Sequence, residues 1–294
     1  MVSGVVLSGC GATGIGEHDK PATTPTVPAV EKVTDQVSKM IVIPIENHSL
    51  DQVKAGMPAT WALTDRFGYA AHFYAIAHPS LPNYLAIAGG TTSGVHDDRG
   101  PNVHGRSGPS VFGQALSAGK TAKVYVEDMK ENCELSGFHG YAVRHNPWAY
   151  HLDERSLCAQ HDVPLDQLQP DVAAGRLPTV GMIVPNTCHD GHDCHLEEAD
   201  EWFSELLAEL MSGPDWASGK LAIVVTADED DKKHDNQVLT LVIHPSLSDR
   251  AVYTPLTHYS LSRALSELSG SEPLAEAKTA TSLLDAFGLK AKVD

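Results

Sequence analysis

Four short segments carry side chains able to hold a cation or attack an electrophile. Glu46-Asn47-His48, Asp190 with His192, and Asp228-Glu229-Asp230-Asp231 supply carboxylates, an amide and imidazoles. Oxygen ligands suit Mg²⁺, Ca²⁺ and Mn²⁺, while Zn²⁺ accepts histidine and carboxylate together, so the set points to a divalent metal ion of open identity. The fourth segment, His78-Pro79-Ser80-Leu81-Pro82-Asn83, offers a hydroxyl. Pro79 favours a turn and residues 81–88 have a helical pattern, which places Ser80 at a helix N-terminus. Unpaired N–H groups and the helix dipole favour an anion there. An ordinary helix cap has the same signature. The acidic run also has two readings: its mutual repulsion is relieved by a bound cation or by Lys232 and Lys233, and it is equally a solvated loop.

The elements around these segments alternate. Short apolar runs at residues 40–45, 122–126, 180–184, 221–226 and 238–243 suit buried parallel strands. Helical patterns occupy residues 58–67, 81–88, 111–118, 197–211 and 259–268. Such alternation predicts an α/β domain, a three-layer sandwich around a central, mostly parallel sheet. Ligands of open α/β sheets bind beyond the carboxyl ends of the strands. Glu46 follows the first run, Asn186 and Asp190 the third, and Asp228 the fourth. Taken singly each is a polar strand exit; together they converge on one edge.

Composition narrows the chemistry further. The chain has 294 residues, 42% of them hydrophobic, and a formal charge of −17. A surface so acidic repels polyanions, which argues against nucleic acid as a partner. No basic cluster exists to hold an anionic substrate, which again favours a bound cation. Cys10, in Leu7-Ser8-Gly9-Cys10, has the form of a lipoprotein cleavage site, although residues 1–6 lack a basic start and a full apolar stretch. Residues 1–10 are therefore read as a signal remnant lipidated at Cys10, 11–36 as a flexible tether, and 37–294 as one catalytic domain. An exported protein pairs its thiols, and the simplest arrangement joins Cys133 to Cys158 and Cys188 to Cys194. A zinc site built from those last two cysteines with His189, His192 and His195 is the alternative. No apolar run is long enough for a transmembrane helix, so contact with a membrane is expected only through the lipid anchor, and the location is extracytoplasmic, anchored or secreted.

The motifs 43–49 (Ile-Pro-Ile-Glu-Asn-His-Ser), 78–84 (His-Pro-Ser-Leu-Pro-Asn-Tyr), Pro185-Asn186 with Asp190 and His192, 228–231, and His258-Tyr259-Ser260-Leu261 occur in that order. Their sequence resembles the bacterial phosphoesterase family of acid phosphatases and phospholipase C-like enzymes, within the alkaline phosphatase superfamily, over about residues 40 to 287. Ser80-Leu81-Pro82-Asn83 is similar to the Thr-Phe-Pro-Asn segment of nucleotide pyrophosphatases, whose Thr is the nucleophile. The resemblance implies an alkaline phosphatase-like fold and a metal-dependent phosphomonoesterase with a phosphoseryl intermediate at Ser80. It implies metal ligation by Glu46, Asn47, Asp190, His192, Asp228, Glu229 and His258. Glu229 stands where the dinuclear zinc pattern has His. His192 or His258 would protonate the leaving group, and Asn83, Arg144, His145 and Asn186 would contact substrate. Arg144 and His145 are equally read as structural partners of Glu127 or Asp128. A small phosphorylated substrate follows. A phosphodiesterase acting on lipid headgroups and a non-catalytic surface binding lipoprotein are the alternatives.

Overall fold

The computed structural model describes residue 1, residues 22–30 and residues 32–293. Its strands, in chain order, are β1 (Gln36–Val37), β2 (Lys39–Ile45), β3 (Gly68–Ala70), β4 (Phe73–Tyr74), β5 (Ala122–Val126) and β6 (Asp162–Pro164). They continue as β7 (Val180–Val184), β8 (Leu221–Ala227), β9 (Thr240–Ile243), β10 (Arg250–Val252), β11 (Leu256–Thr257) and β12 (Lys290–Ala291). Eight of them form one sheet in the order β10-β3-β9-β8-β2-β7-β5-β6. Only the pairings of β9 with β8 and with β3 are antiparallel. The neighbours β8, β2, β7, β5 and β6 therefore run in one direction, with their carboxyl ends on one edge.

Every residue of β7 and β8 is buried. Helices cover both faces, and this explains the unbroken apolar runs of these strands. The helices Ser80–Gly89, Val111–Ser117 and His258–Leu268 pack with one another. The helices Leu50–Gly56, Pro58–Arg66 and Leu196–Ser212 form a second group. The result is a three-layer α/β sandwich. β5 and β7 coincide with the runs expected from sequence. β9 begins at Thr240, because Val238 instead makes a bridge to Ser49. β3, β6 and β10 have three residues each, too few for a period to show.

The tether expected over residues 11–36 needs correction in its described part. Pro25 is buried, and its carbonyl accepts a hydrogen bond from Arg66 Nη1 at 3.0 Å. The Pro28 carbonyl accepts one from Trp216 Nε1 at 3.2 Å, Val27 and Val30 pack on the core, and β1 pairs with β12. Proline and isolated valines make an extended strap, whose contacts have no repeat for a sequence pattern to reveal. The signal remnant beyond Met1, Cys10 and residues 11–21 lie outside the described residues.

Two disulfides, Cys133–Cys158 and Cys188–Cys194, lock loops at the sheet edge. With both thiols oxidised, the zinc alternative at Cys188 and Cys194 falls away. Disulfides persist in oxidising, extracytoplasmic surroundings. Among the described residues, no helix is long and apolar enough to cross a membrane.

Candidate active site

Three strand ends meet at Glu46. Its N–H donates to the Asp190 carbonyl at 2.8 Å, and the Asp228 N–H donates to the Ile45 carbonyl at 3.0 Å. Asn47 has φ +57°, a left-handed conformation that asparagine tolerates better than most residues. This turn aims the Asn47 N–H at Asp228 Oδ1, 3.0 Å away. Ser80 is the first residue of its helix and Pro79 is the cap, so Ser80 does not occupy the cap position. The ordinary-cap reading is thus removed. Ser80 Oγ instead donates to Glu46 Oε2 at 3.1 Å, while the Tyr84 hydroxyl, one turn on, donates to Glu46 Oε1. Asp98 Oδ1 accepts the Leu81 N–H at 2.9 Å and holds this helix end in place.

The site is strongly polar and almost dry. Glu46, Asp190 and Asp228 are fully buried, and Ser80 and Glu229 nearly so. His145 lies between two of the carboxylates, its Nε2 3.2 Å from Glu46 Oε2 and its Nδ1 3.2 Å from Asp190 Oδ2. These are ion-pair contacts without hydrogen-bond alignment, since neither ring nitrogen has a hydrogen-bond partner. Burial alone would lower the His145 pKa, but Glu46 and Asp190 more than offset it and push it up to about 9. Burial likewise opposes ionisation of Glu46, yet His145, the Tyr84 hydroxyl and Arg144 hold that carboxyl below its ordinary value. Asp228 is pushed well above the usual range by burial and by the charges of Glu46 and Glu229. Burial also raises Asp190, against the pull of His145. Glu229 is pushed up to about 7, chiefly by burial, with His78 Nδ1 at 3.1 Å opposing the rise.

The donors fit a divalent cation. Glu46, His145 and Asp190 cluster closely enough to share one ion, to which the imidazole would contribute only by losing its proton. Asp228 Oδ2, Asp190 Oδ2 and Asn47 Oδ1 are buried without a hydrogen-bond donor. Unpaired buried oxygens beside repelling carboxylates are what a hard cation satisfies. A cleft of about 260 Å³ opens over them, walled by Asn47, Ser80, Asp98, His192, Glu229 and Lys232.

Several expected roles are corrected by the geometry. His258 is fully buried, with Nε2 2.6 Å from the Asp228 carbonyl and its ring against Phe73. It braces the end of β8 and does not line the cleft; burial holds its pKa down to about 4. His192 reaches the cleft wall, but Nδ1 is 2.6 Å from Asp193 and Nε2 is 3.3 Å from Arg144 Nη2. Both ring nitrogens are thus engaged by protein groups. Its N–H positions Asp190 through Oδ1 at 2.8 Å. Asn83 is fully buried, accepting from Ile76 and Ala77 and donating to Ala77 and Glu229, so no atom is left for substrate. Asn186 is likewise consumed, by Asp128 and by the N–H groups of Cys188 and His189. His145 is enclosed among carboxylates rather than open to a phosphate, and its partners are Glu46 and Asp190, not Glu127 or Asp128. Within the acidic run, Asp230 closes its own loop by accepting from Lys232, His234 and Asn236. Sequence reasoning gave no site role to Tyr84, Asp98 or His78, although His78 and Tyr84 are the two ends of the 78–84 motif. Tyr84 is one helical turn from Ser80, the single signal that would have found it.

The comparisons with known proteins agree with this architecture. A family model described as the Phosphoesterase family matches residues 51–251. The chain belongs to the Phosphoesterase family. It is a hydrolase of phosphate esters. A protein from Mycobacterium tuberculosis named phosphatidylinositol-3-phosphatase is 26% identical over 98% of this chain and 93% of its own length. An acid phosphatase from Aspergillus fumigatus is 24% identical over 76% of this chain, which spans 52% of that relative. Among solved structures, an alkaline phosphatase superfamily protein from Vibrio parahaemolyticus superimposes with TM-score 0.58 at 10% identity, covering 85% of this chain and 68% of its own. A Pseudoalteromonas sulfatase gives 0.52, covering 87% of this chain and 73% of its own, also at 10% identity. At such identity the structures establish the shared fold alone.

Proposed function

We propose that this phosphoesterase family member hydrolyses phosphomonoesters through Ser80, with a divalent cation held by Glu46, Asp190 and Asp228 and by the Asn47 amide oxygen. The observation that carries the reading is Ser80 Oγ at 3.1 Å from Glu46, on the first residue of a helix at the wall of the cleft. When bound, the cation supplies Lewis-acid stabilisation of phosphoryl charge and lowers the pKa of the hydroxyl. Ser80 Oγ attacks phosphorus in line and its proton passes to Glu46 Oε2. The ester P–O bond breaks and the leaving alkoxide takes a proton from water in the open cleft. Water then cleaves the Ser80 phosphoester, and the hydroxyl recovers its proton. Glu46 suits the acceptor role because its surroundings keep it ionised while Asp228 and Glu229 are lifted.

Ser80→Ala should abolish phosphate release from an aryl monoester with fold and metal content unchanged. Near-normal turnover in that variant would sink the assignment. Chelation should stop the wild-type enzyme, and restoration by single added metals would identify the ion. The relative named phosphatidylinositol-3-phosphatase favours one further reading, that the monoester is carried on a lipid headgroup. Phosphate release from a phosphoinositide monoester, against phosphocholine release from a phosphatidylcholine diester, separates that reading from a phospholipase C-like one. We further propose an extracytoplasmic location with a lipid anchor at Cys10, which mass spectrometry of the membrane fraction would test. A chain that binds ligand without turnover would release no phosphate or phosphocholine in any of the turnover assays.

A further inference from the structure

Beside the Ser80 cleft lies a second one of about 300 Å³, with Asp98, His139, Tyr141, Arg144, Thr187 and Asp193 in its wall. The two are contiguous. Asp98 belongs to both walls and accepts the Leu81 N–H at the start of the Ser80 helix. Arg144, in the second wall, bonds at 3.3 Å to His192, in the first. In-line attack by Ser80 expels the leaving oxygen away from the nucleophile, so the group bound to that oxygen needs space next to the first cleft.

The second cleft is built before any ligand arrives. The Thr187 N–H donates to the Gly140 carbonyl at 2.9 Å, and the Asp193 N–H to the Thr187 carbonyl at 2.7 Å. The Cys188–Cys194 disulfide closes the loop that carries Asp193. Its volume stands at the lower end of the ~300–1,000 Å³ of small-molecule sites, suited to one ring rather than an extended chain. Its chemistry is mixed. Arg144 and Asp193 each spend one bond on His192, and the Thr187 side chain is bonded to Asp193. Further guanidinium N–H groups are left to donate, and carboxylate and hydroxyl lone pairs to accept. Alternating donors and acceptors match the hydroxyl groups of a polyol. Two carboxylates against one guanidinium also disfavour a second anionic group on the ligand, which favours a free polyol phosphate over a phosphoinositide at this subsite.

We infer that this cleft is the leaving-group subsite of the hydrolase, selective for a neutral polyhydroxylated ring, with Thr187 and Asp193 as specificity-determining residues. The inference rests on the phosphomonoesterase reading above. Its test compares kcat/KM of the metal-loaded full chain for a hexose 6-phosphate and for p-nitrophenyl phosphate, in wild type and in the isosteric variants Thr187→Val and Asp193→Asn. Circular dichroism and melting temperature confirm that each variant folds. The expected result is a fall of at least about fivefold in the hexose-to-aryl ratio in both variants, equivalent to losing one hydrogen bond of ~1 kcal/mol. An unchanged ratio, or wild-type turnover of the aryl ester alone, overturns the subsite while leaving the hydrolase reading intact. Wild-type failure on both esters overturns the two together.

Discussion

Asp162 lies beneath the loop that carries the site, and replacing it with asparagine gives a sharp test of the electrostatic reasoning. The residue is fully buried; Oδ2 accepts from Asn146 Nδ2 at 2.8 Å, and Oδ1 has no hydrogen-bond donor. Asn146 also donates to the Tyr141 hydroxyl at 3.2 Å and directly follows the turn Val143–His145. Burial pushes Asp162 from its ordinary 3.8 up to about 7, with the Asn146 bond opposing the rise. Folded protein therefore keeps a proton that unfolded protein has released between pH 3.8 and about 7. Wild-type stability from this group is complete below that window and is lost as pH rises through it. The change from 3.8 to about 7 amounts to ~4 kcal/mol at about 1.4 kcal/mol per pH unit. Asp162→Asn keeps the shape and cannot ionise. Urea unfolding of both proteins, at half-unit steps from pH 4 to 8, should show the variant gaining several kcal/mol over wild type across the window, then a plateau. A flat difference, or a variant that loses ground as pH rises, would refute the claim that Asp162 is ionised at a cost.

Three further perturbations follow from the same geometry. His192→Gln should lower kcat/KM by less than about tenfold, because a true general acid contributes ~100-fold or more; steady-state kinetics on an aryl phosphate decides it. Tyr84→Phe removes a donor to Glu46, so Glu46 titrates higher and the acid limb of the kcat/KM profile moves to higher pH; an unmoved limb would remove Glu46 from the rate profile. Gly113→Ala would put a methyl 1.9 Å from Glu154 Oε1. That carboxylate already accepts from Ser110 and Trp148, and a loss of about 1–3 kcal/mol is expected from chemical denaturation.

The central sheet was legible because β5, β7 and β8 are buried on both faces, and such strands are written as unbroken apolar runs. The three-residue strands and the 22–36 strap were not, since their contacts depend on partners distant in the chain. Within the site, Glu46, Asn47 and Asp228, singled out because they follow strands, lie together at adjacent strand ends. The misassigned residues share one property. Asn83, Asn186, His192 and His258 have polar side chains held by other protein groups, among them Glu229, Asp128, Arg144 and the Asp228 carbonyl, and only three-dimensional packing shows those bonds. His145 errs in the opposite direction. Sequence places it 99 residues from Glu46, with nothing to indicate that they touch.

The same cluster supplies the strongest argument for the proposed cation. Glu46, Asp190, Asp228 and Glu229 converge with almost no solvent, and the imidazoles in direct contact with them, His145 and His78, bring at most two positive charges. The imbalance is taken up by protons: Asp228, Asp190 and Glu229 are all pushed above their ordinary values. A divalent ion replaces those protons and gives the unpaired oxygens of Asp190 and Asp228 a partner. Metal uptake should therefore release protons, and calorimetric titration in buffers of different ionisation enthalpy would count them. Uptake with no proton release would mean that the carboxylates are already ionised without the ion, and the electrostatic case for the site would fail.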